Sequence, residues 1–372
     1  MRMALSLARR GWQSVSPNPM VGAVVVKQGR VVGRGYHRRL GAPHAEVEAL
    51  RDARGKAKGA DVYVTLEPCG HHGKTPPCAE ALVDAGVDRV IFAVSDPHPV
   101  TKRRGARFLR ASGVEVVRGV CSKEARALNE PYFHWVSTAR PWVILKWAMT
   151  LDGKIATAGG ESRWITGESA RSHAHGLRRR VDAILIGTET ALRDDPLLTA
   201  RPARGRHPAR IVLDRRGRLP WKLKLLSPST DESGSGRRIY VTTKALADRR
   251  GDRLRSRGIE VLVVPSSSAG FRVGTLFTRL GEQGISQVLV EGGASLLGSC
   301  LFAGEAHEAA VYVAPRVAGG ASARSAVTGP GIRALGDTPW LDEPQVRRLG
   351  GDVFLHGRLR KAVREARGRT SG

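Results

Sequence analysis

Four residues suited to metal-assisted hydrolysis stand in two short stretches: Pro43-His44-Ala45-Glu46, and Glu67-Pro68-Cys69 with Cys78 nine positions further on. Hydrolysis at neutral pH needs hydroxide, and zinc can lower the pKa of a bound water from 15.7 to about 7. A catalytic zinc takes three protein ligands and keeps a fourth position open. His44, Cys69 and Cys78 make up such a set. Glu46, two residues past His44, can reach the open position without being a ligand and move protons from water to a leaving group.

The order H-x-E, then P-C, then C is the signature of zinc-dependent base deaminases. Here Cys69 and Cys78 enclose GHHGKTPP, a longer stretch than the two residues of that signature. The alternatives are a closed zinc site completed by His71 or His72, or cysteines that are simply buried; either leaves Glu46 without a purpose. Lys74, beside two histidines in this Gly/Pro-rich loop, is a candidate anion contact.

A second constellation lies far downstream. Val290-Glu291-Gly292-Gly293-Ala294 follows a strand pattern and leads into a helical stretch, LLGSCLFAG, so backbone amides there can approach a phosphate. Lys146 falls inside an apolar strand, WVILKWAM, where a buried ammonium is costly unless paired, so it reads as a substrate or catalytic contact. Asp194-Asp195-Pro196 reads first as a turn with capping roles. Cys121 and Cys300 read as ordinary thiols.

These residues need elements to hold them. The first 140 or so residues alternate strand and helix signals: a hairpin over 21–35 around Gln28-Gly29, a helix over 44–53, a strand over 62–67, a helix over 79–87 and a strand over 89–94. Cys69 is expected near a helix start, where the dipole favours thiolate. The N-terminus reads as an amphipathic helix with Met3, Leu5 and Leu7 set against Arg9 and Arg10. A new unit begins near Arg140-Pro141, with strands expected at 142–149, 181–187, 209–214, 237–243, 259–264, 287–293 and 308–315, and a polar loop over 227–236. Domains of 1–140 and 141–372 suit a length of 372 residues, beyond the size at which single cores stop growing.

The net charge of +27 is read as an arginine-rich solvated surface that attracts phosphorylated small molecules, and not as a nucleic-acid platform, because the basic runs lack interleaved aromatics. The apolar runs are far short of the ~20 residues of a membrane span, and no secretory signal is evident, so a cytoplasmic enzyme is expected.

The chain resembles the bifunctional deaminase/reductase family of riboflavin biosynthesis. The resemblance rests on SPNPMVGAVVV (16–26), GYH (35–37), PHAEVEAL (43–50), VTLEPCGHHGKTPPC (64–78), LKWAMTLDGKIA (145–156), GESRWITG (160–167), LRRRVDAILIGTETALRDDPLLTAR (177–201) and VEGGASLLGSCL (290–301). It implies an α/β protein with an N-terminal cytidine-deaminase-like three-layer α/β/α domain and a C-terminal dihydrofolate-reductase-like α/β domain. It implies zinc on His44, Cys69 and Cys78, with Glu46 as proton shuttle, and contacts to pyrimidine and ribose phosphate from Asn18, His37, His71 and Lys74. In the second domain it implies NADPH contacts from Ala148, Trp164, Thr190, Asp194, Gly293, Ala294, Ser295, Leu296, Leu297, Gly298 and Ser299. Substrate contacts are implied for Ser162, Arg178, Leu198, Arg201 and Glu291, with Lys146 catalytic. The implied reactions are deamination of a diaminopyrimidinone ribosyl phosphate, then NADPH reduction of its ribosyl group, in a homo-oligomeric enzyme. Beside Arg215 the family carries a small polar residue, so this Arg is a departure on the cofactor side.

Overall fold

The computed structural model describes residues 1–12, 14–71, 76–101, 103–201, 207–227, 236–268 and 270–360. The chain divides into two compact units, Met1–Arg140 and Pro141–Gly372. No helix among the described residues is long and apolar enough to cross a membrane.

Unit 1 opens with α1 (Arg2–Ala8), then β1 (Gly22–Lys27) and β2 (Arg30–Tyr36), α2 (Ala45–Ala53), β3 (Asp61–Val64), α3 (Cys78–Asp84) and β4 (Arg89–Phe92). It closes with α4 (Arg104–Ala111), β5 (Glu115–Arg118), α5 (Ser122–Leu128) and α6 (Glu130–Thr138). Gln28 and Gly29 both adopt positive φ, the geometry of a two-residue turn whose twist matches the strands it joins. The sheet order is β2-β1-β3-β4-β5, with β3, β4 and β5 parallel and β1 antiparallel to both neighbours. Strand side chains alternate faces. Ala23 and Val25 therefore meet α2, α3 and α4 through Ala49, Leu82 and Leu109, while Val24 faces Ala4 and Leu7 of α1 on the other side. Leu5 continues that second layer to α5 through Ala125. Met3, expected on the apolar face of the first helix, is instead 44% exposed, because the short helix turns Ala4, Leu5, Leu7 and Ala8 inward.

Unit 2 begins with β6 (Trp142–Thr150), α7 (Glu168–Arg178), β7 (Ala183–Ile186), α8 (Thr188–Asp194), β8 (Ala209–Leu213), β9 (Arg238–Thr242), α9 (Lys244–Arg255) and β10 (Glu260–Val263). A two-residue ribbon follows, β11 (Ser266–Ser267) with β12 (Gly270–Phe271), then α10 (Val273–Glu282), β13 (Gln287–Val290), α11 (Ala294–Phe302), β14 (Glu308–Ala314), β15 (Trp340–Leu349) and β16 (Asp352–Arg360). The main sheet runs β10-β9-β8-β7-β13-β6-β14-β16-β15; its first seven strands are parallel, and β16 and β15 are antiparallel. Parallel sheets are covered on both faces. Accordingly Leu185 and Val288 pack with Leu276 and Phe277 of α10 and Leu297 of α11, whereas Ile184 and Ile186 pack with Leu177 of α7 and Ala191 of α8.

Candidate active sites

The unit 1 site is assembled just past the C-terminal ends of the parallel strands β3 and β4. His44 is the N-cap residue of α2 in extended backbone, and Glu46 occupies the first helical turn, 3% exposed. Gly35 of β2 lets α2 lie directly on the sheet, since a Cβ there would overlap the Ala45 carbonyl and the Ala49 amide. Cys69 follows β3 in an irregular segment, and Cys78 is the first residue of α3. The helix start expected for Cys69 thus belongs to Cys78. The effect still reaches Cys69, because the Cys78 backbone N–H donates to its sulfur at 3.3 Å.

The ligand atoms of His44, Cys69 and Cys78 lie within 4.8 Å of one another. His44 Nδ1 is 3.1 Å from Cys78 Sγ and 3.5 Å from Cys69 Sγ. A hydrogen bond from the Cys78 thiol, opposed by burial and joined by His44, pulls Cys69 down to about 4. Bonding to Cys69 and burial push Cys78 well up. Hydrogen bonding to Cys69, against burial and with help from Glu46, raises His44 to about 9. Burial, partly offset by His44, raises the Glu46 carboxyl to about 7. Two sulfurs and an imidazole nitrogen converging on one point, with a carboxyl beside them, is a donor set that fits zinc.

Around this cluster lies a cavity of about 220 Å³. Asn18, His37 and His71 line it, as expected from sequence, and Lys74 lies outside the described residues. His37 is pinned at both ring nitrogens: Nδ1–H donates to the Pro43 carbonyl at 3.1 Å, and Asn18 Nδ2 donates to Nε2 at 3.2 Å. Burial lowers the His37 pKa, which keeps the ring neutral for this arrangement. The cavity also contains residues the sequence reading did not single out: Glu67, Asp96, His98, Thr101 and Tyr132. Asp96 Oδ1 accepts from Tyr132 Oη at 2.9 Å and from the His98 amide at 3.0 Å. Its one sequence signal is its place beyond β4, in Ser95-Asp96-Pro97, matching the place of Glu67-Pro68-Cys69 beyond β3.

The unit 2 site is a larger cavity, about 710 Å³, outside the C-terminal ends of β6, β7 and β13. The adjacent strands β7 and β13 send their crossovers in opposite directions, to β8 and to β14, and ligands of open parallel sheets bind at such reversals of strand order. Lys146, Ala148, Ser162, Trp164, Arg178, Thr190, Asp194, Leu198, Arg201, Glu291, Gly293, Ala294, Ser295 and Leu297 all line it. Leu296 is instead buried in the core against α10, and Gly298 packs against the Thr328 carbonyl. Ser299 turns its hydroxyl to the Ser295 carbonyl at 2.8 Å.

Glu291 and Arg178 form a two-pronged pair, with Nε and Nη2 each donating at 2.7 Å. Burial alone would raise the Glu291 pKa; the Arg178 guanidinium and the Lys146 ammonium outweigh it and hold the carboxyl at about 2. Desolvation lowers the Lys146 pKa, with Glu291 opposing and Arg178 reinforcing. At the mouth Trp164 is 63% exposed, its indole covered by the Arg171 guanidinium at 4.7 Å, which leaves an aromatic face for a planar ligand.

Gly293 caps α11, and a Cβ on it or on Gly292 would close against Thr190 Oγ1 at 3.3–3.4 Å. Eight basic side chains line the cavity (Lys146, Arg163, Arg171, Arg178, Arg193, Arg201, Lys224, Arg324) against four carboxylates (Glu189, Asp194, Asp195, Glu291). A glycine-opened helix start and a surplus of cations fit a phosphorylated dinucleotide such as NADPH. Arg215 is held away in hydrogen bonds to the Ser267 and Ser268 carbonyls.

Residues 1–94 match the model of the cytidine and deoxycytidylate deaminase zinc-binding region, and residues 141–355 match that of the RibD C-terminal domain. The riboflavin biosynthesis protein RibD of Aquifex aeolicus is 42% identical over 357 residues, 95% of this chain and 96% of that protein. The RibD of Escherichia coli is 40% identical, over 96% of this chain and 97% of the other. A solved structure of Acinetobacter baumannii RibD superposes with a TM-score of 0.86 at 37% identity, covering 97% of this chain and 98% of that one. The Thermotoga maritima diaminohydroxyphosphoribosylaminopyrimidine deaminase/5-amino-6-(5-phosphoribosylamino)uracil reductase gives 0.84 at 35% identity, covering 97% of each chain. With its zinc-ligand cluster in one unit and its cation-lined cavity in the other, this chain belongs to the RibD family of bifunctional riboflavin biosynthesis proteins.

Proposed function

We propose that unit 1 deaminates 2,5-diamino-6-(5-phosphoribosylamino)pyrimidin-4(3H)-one hydrolytically, and that unit 2 then reduces the ribosyl group to give 5-amino-6-(5-phosphoribitylamino)uracil. The observation that carries the reading is the convergence of His44, Cys69 and Cys78 within 4.8 Å beside the buried Glu46, at the wall of a cavity of about 220 Å³. Zinc on those ligands supplies a water acidic enough to act at neutral pH. Glu46 takes one proton from the attacking water and delivers it to the ring nitrogen, then takes the second from the added hydroxyl and delivers it to the amino group, which leaves as ammonia. The neutral His37 holds the Asn18 amide in place, which leaves the Asn18 side-chain oxygen for the pyrimidine edge, and His71 and Lys74 serve the ribose phosphate.

In unit 2, NADPH supplies the hydride for C1 of the opened sugar. The Gly293 to Ser295 amides, Thr190 and Asp194 hold the cofactor, Trp164 covers it, and Ala148 leaves room for it. Leu296, Gly298 and Ser299 act on it only through the shape of α11. Arg178, Arg201, Ser162, Leu198 and Glu291 hold the substrate, and Lys146 gives the proton that the imine nitrogen on C1 takes up as the hydride reaches the carbon. The reading extends to a cytoplasmic enzyme, because thiol ligands and a nicotinamide reductant both suit a reducing compartment, and to assembly as a homo-oligomer.

The test is a coupled assay on the purified protein with the diaminopyrimidinone nucleotide, following ammonia and NADPH separately, alongside metal analysis. Ammonia release without added NADPH, then one NADPH oxidised per product, is expected. A metal-free, inactive protein would refute the deaminase half; failure to oxidise NADPH with the deaminated product would refute the reductase half.

A further inference from the structure

The zinc-region match ends at residue 94, yet two residues at the start of the last helix of unit 1 reach back to the segments that form the cavity, and one of them, Tyr132, lines it. Asn129, the N-cap residue of α6, is 3% exposed. Its side-chain amide grips the backbone of Met20 from both sides: Oδ1 accepts the Met20 N–H at 2.8 Å, and Nδ2 donates to the Met20 carbonyl at 2.8 Å. Met20 ends the Pro-rich loop that carries Asn18, the residue that orients His37. One turn along, Tyr132 donates to Asp96 Oδ1 at 2.9 Å, and both line the cavity. The helix is seated by Tyr132 and Phe133 on Leu66, with Val21 and Val94 packed alongside.

We infer that α6 is a positioning element of the deaminase site, in which Asn129 fixes the loop bearing Asn18 and Tyr132 fixes the carboxylate of Asp96. This role for α6 presupposes that unit 1 is the deaminase proposed above. A two-point amide clamp restrains the Met20 backbone more tightly than one hydrogen bond would, because neither bond can swing without straining the other. Tyr132 occupies one oxygen of Asp96, so the carboxylate is fixed in rotation. The side-chain hydrogen bonds of both residues go to Met20 and Asp96 and not to His44, Cys69 or Cys78, so their loss acts on substrate placement and leaves the metal in place. A misplacement of about 1 Å in a positioned group can cost on the order of a hundredfold in rate.

The experiment compares the full-length zinc-loaded enzyme with Asn129→Ala, Asn129→Asp and Tyr132→Phe. Three quantities are read from each: deaminase kcat and KM by ammonia release, reductase turnover on the deaminated product, and zinc content. Asn129→Ala is expected to raise deaminase KM by about tenfold or more. Asn129→Asp, which keeps the acceptor for Met20 N–H, should recover part of that loss. Tyr132→Phe, which removes one oxygen, should raise KM about threefold to tenfold with kcat within about twofold. Reductase turnover and zinc content should stay at wild-type values in all three. Wild-type KM in both Asn129→Ala and Tyr132→Phe would overturn the inference, as would zinc loss parallel to activity loss, the mark of a purely structural helix. If Asn129→Ala cannot be purified, Tyr132→Phe alone decides. A wild-type enzyme that releases no ammonia defeats the deaminase reading itself, a result distinct from either outcome.

Discussion

Glu46 and Glu291 are both buried carboxyls, and their neighbours give them opposite tasks. Glu46 sits against the ligand cluster, so Glu46→Gln should keep stoichiometric zinc while ammonia release falls by about a hundredfold or more; metal analysis and the ammonia assay on one sample check this, with reductase turnover as internal control. Glu291 is held at about 2 against an ordinary 4.5. Its charge is shared by native and unfolded chains above about pH 4.5. As pH falls from there toward 2, only the unfolded chain gains the proton, so the pair's contribution to stability drains away through that window. Glu291→Gln should flatten the acid decline of the unit 2 melting transition. At neutral pH it should cost about 3 kcal/mol, because Arg178 is left charged and unpartnered by a carboxylate; thermal melts between pH 2 and 7 read both effects. His44, Glu46, Cys69 and Cys78 were legible because local spacing encodes metal chemistry. Asp96 and Tyr132 were not, since they lie 36 residues apart and only the fold brings their oxygens together.

At the scale of elements, glycines decide how closely helices approach the ligand segment. A Cβ on Gly105 of α4 would overlap the Pro68 carbonyl, and one on Gly70 would lie 2.6 Å from the Gly105 amide. The Ala106 amide also donates to Glu67 Oε1 at 3.3 Å. Gly105→Ala is therefore expected to push α4 off the segment carrying Cys69 and to lower zinc occupancy. Gly113→Ala serves as control: its added Cβ meets nothing within 4 Å, so it changes backbone strain alone; zinc titration of both variants is the measurement. The parallel strands of unit 2 could be read from sequence because burial on both faces makes them continuous apolar runs, as in Ala183–Ile186. The long hairpin of β15 and β16 could not. Trp340–Leu349 mixes Asp342, Glu343, Pro344, Arg347 and Arg348 into an outer strand with a register shift between Asp342 and Gln345, so the pattern reads as loop. The helix α6 was equally silent, its two functional side chains being fixed by partners across the unit.

For the whole molecule, the metal belongs to one unit and the nucleotide cofactor to the other. A chelator is expected to lower only the unit 1 melting transition, by about 3 kcal/mol if zinc was present at a hundred times its dissociation constant, while NADPH protects the other; calorimetry with each addition in turn reads this, and a common shift of both transitions would contradict it. The order of strands carries a further consequence, for synthesis. Strand β13 is wedged between β6 and β7, yet β7 ends at Ile186 and β13 starts only at Gln287. A growing chain therefore holds open a slot of unpaired amides and carbonyls while about a hundred more residues are made, and unpaired strand edges invite pairing with foreign chains. The unit 1 fold, complete by residue 140, has emerged well before that gap is filled. A ribosome that stalls between these points would release a finished deaminase fold tethered to a sticky, half-built sheet.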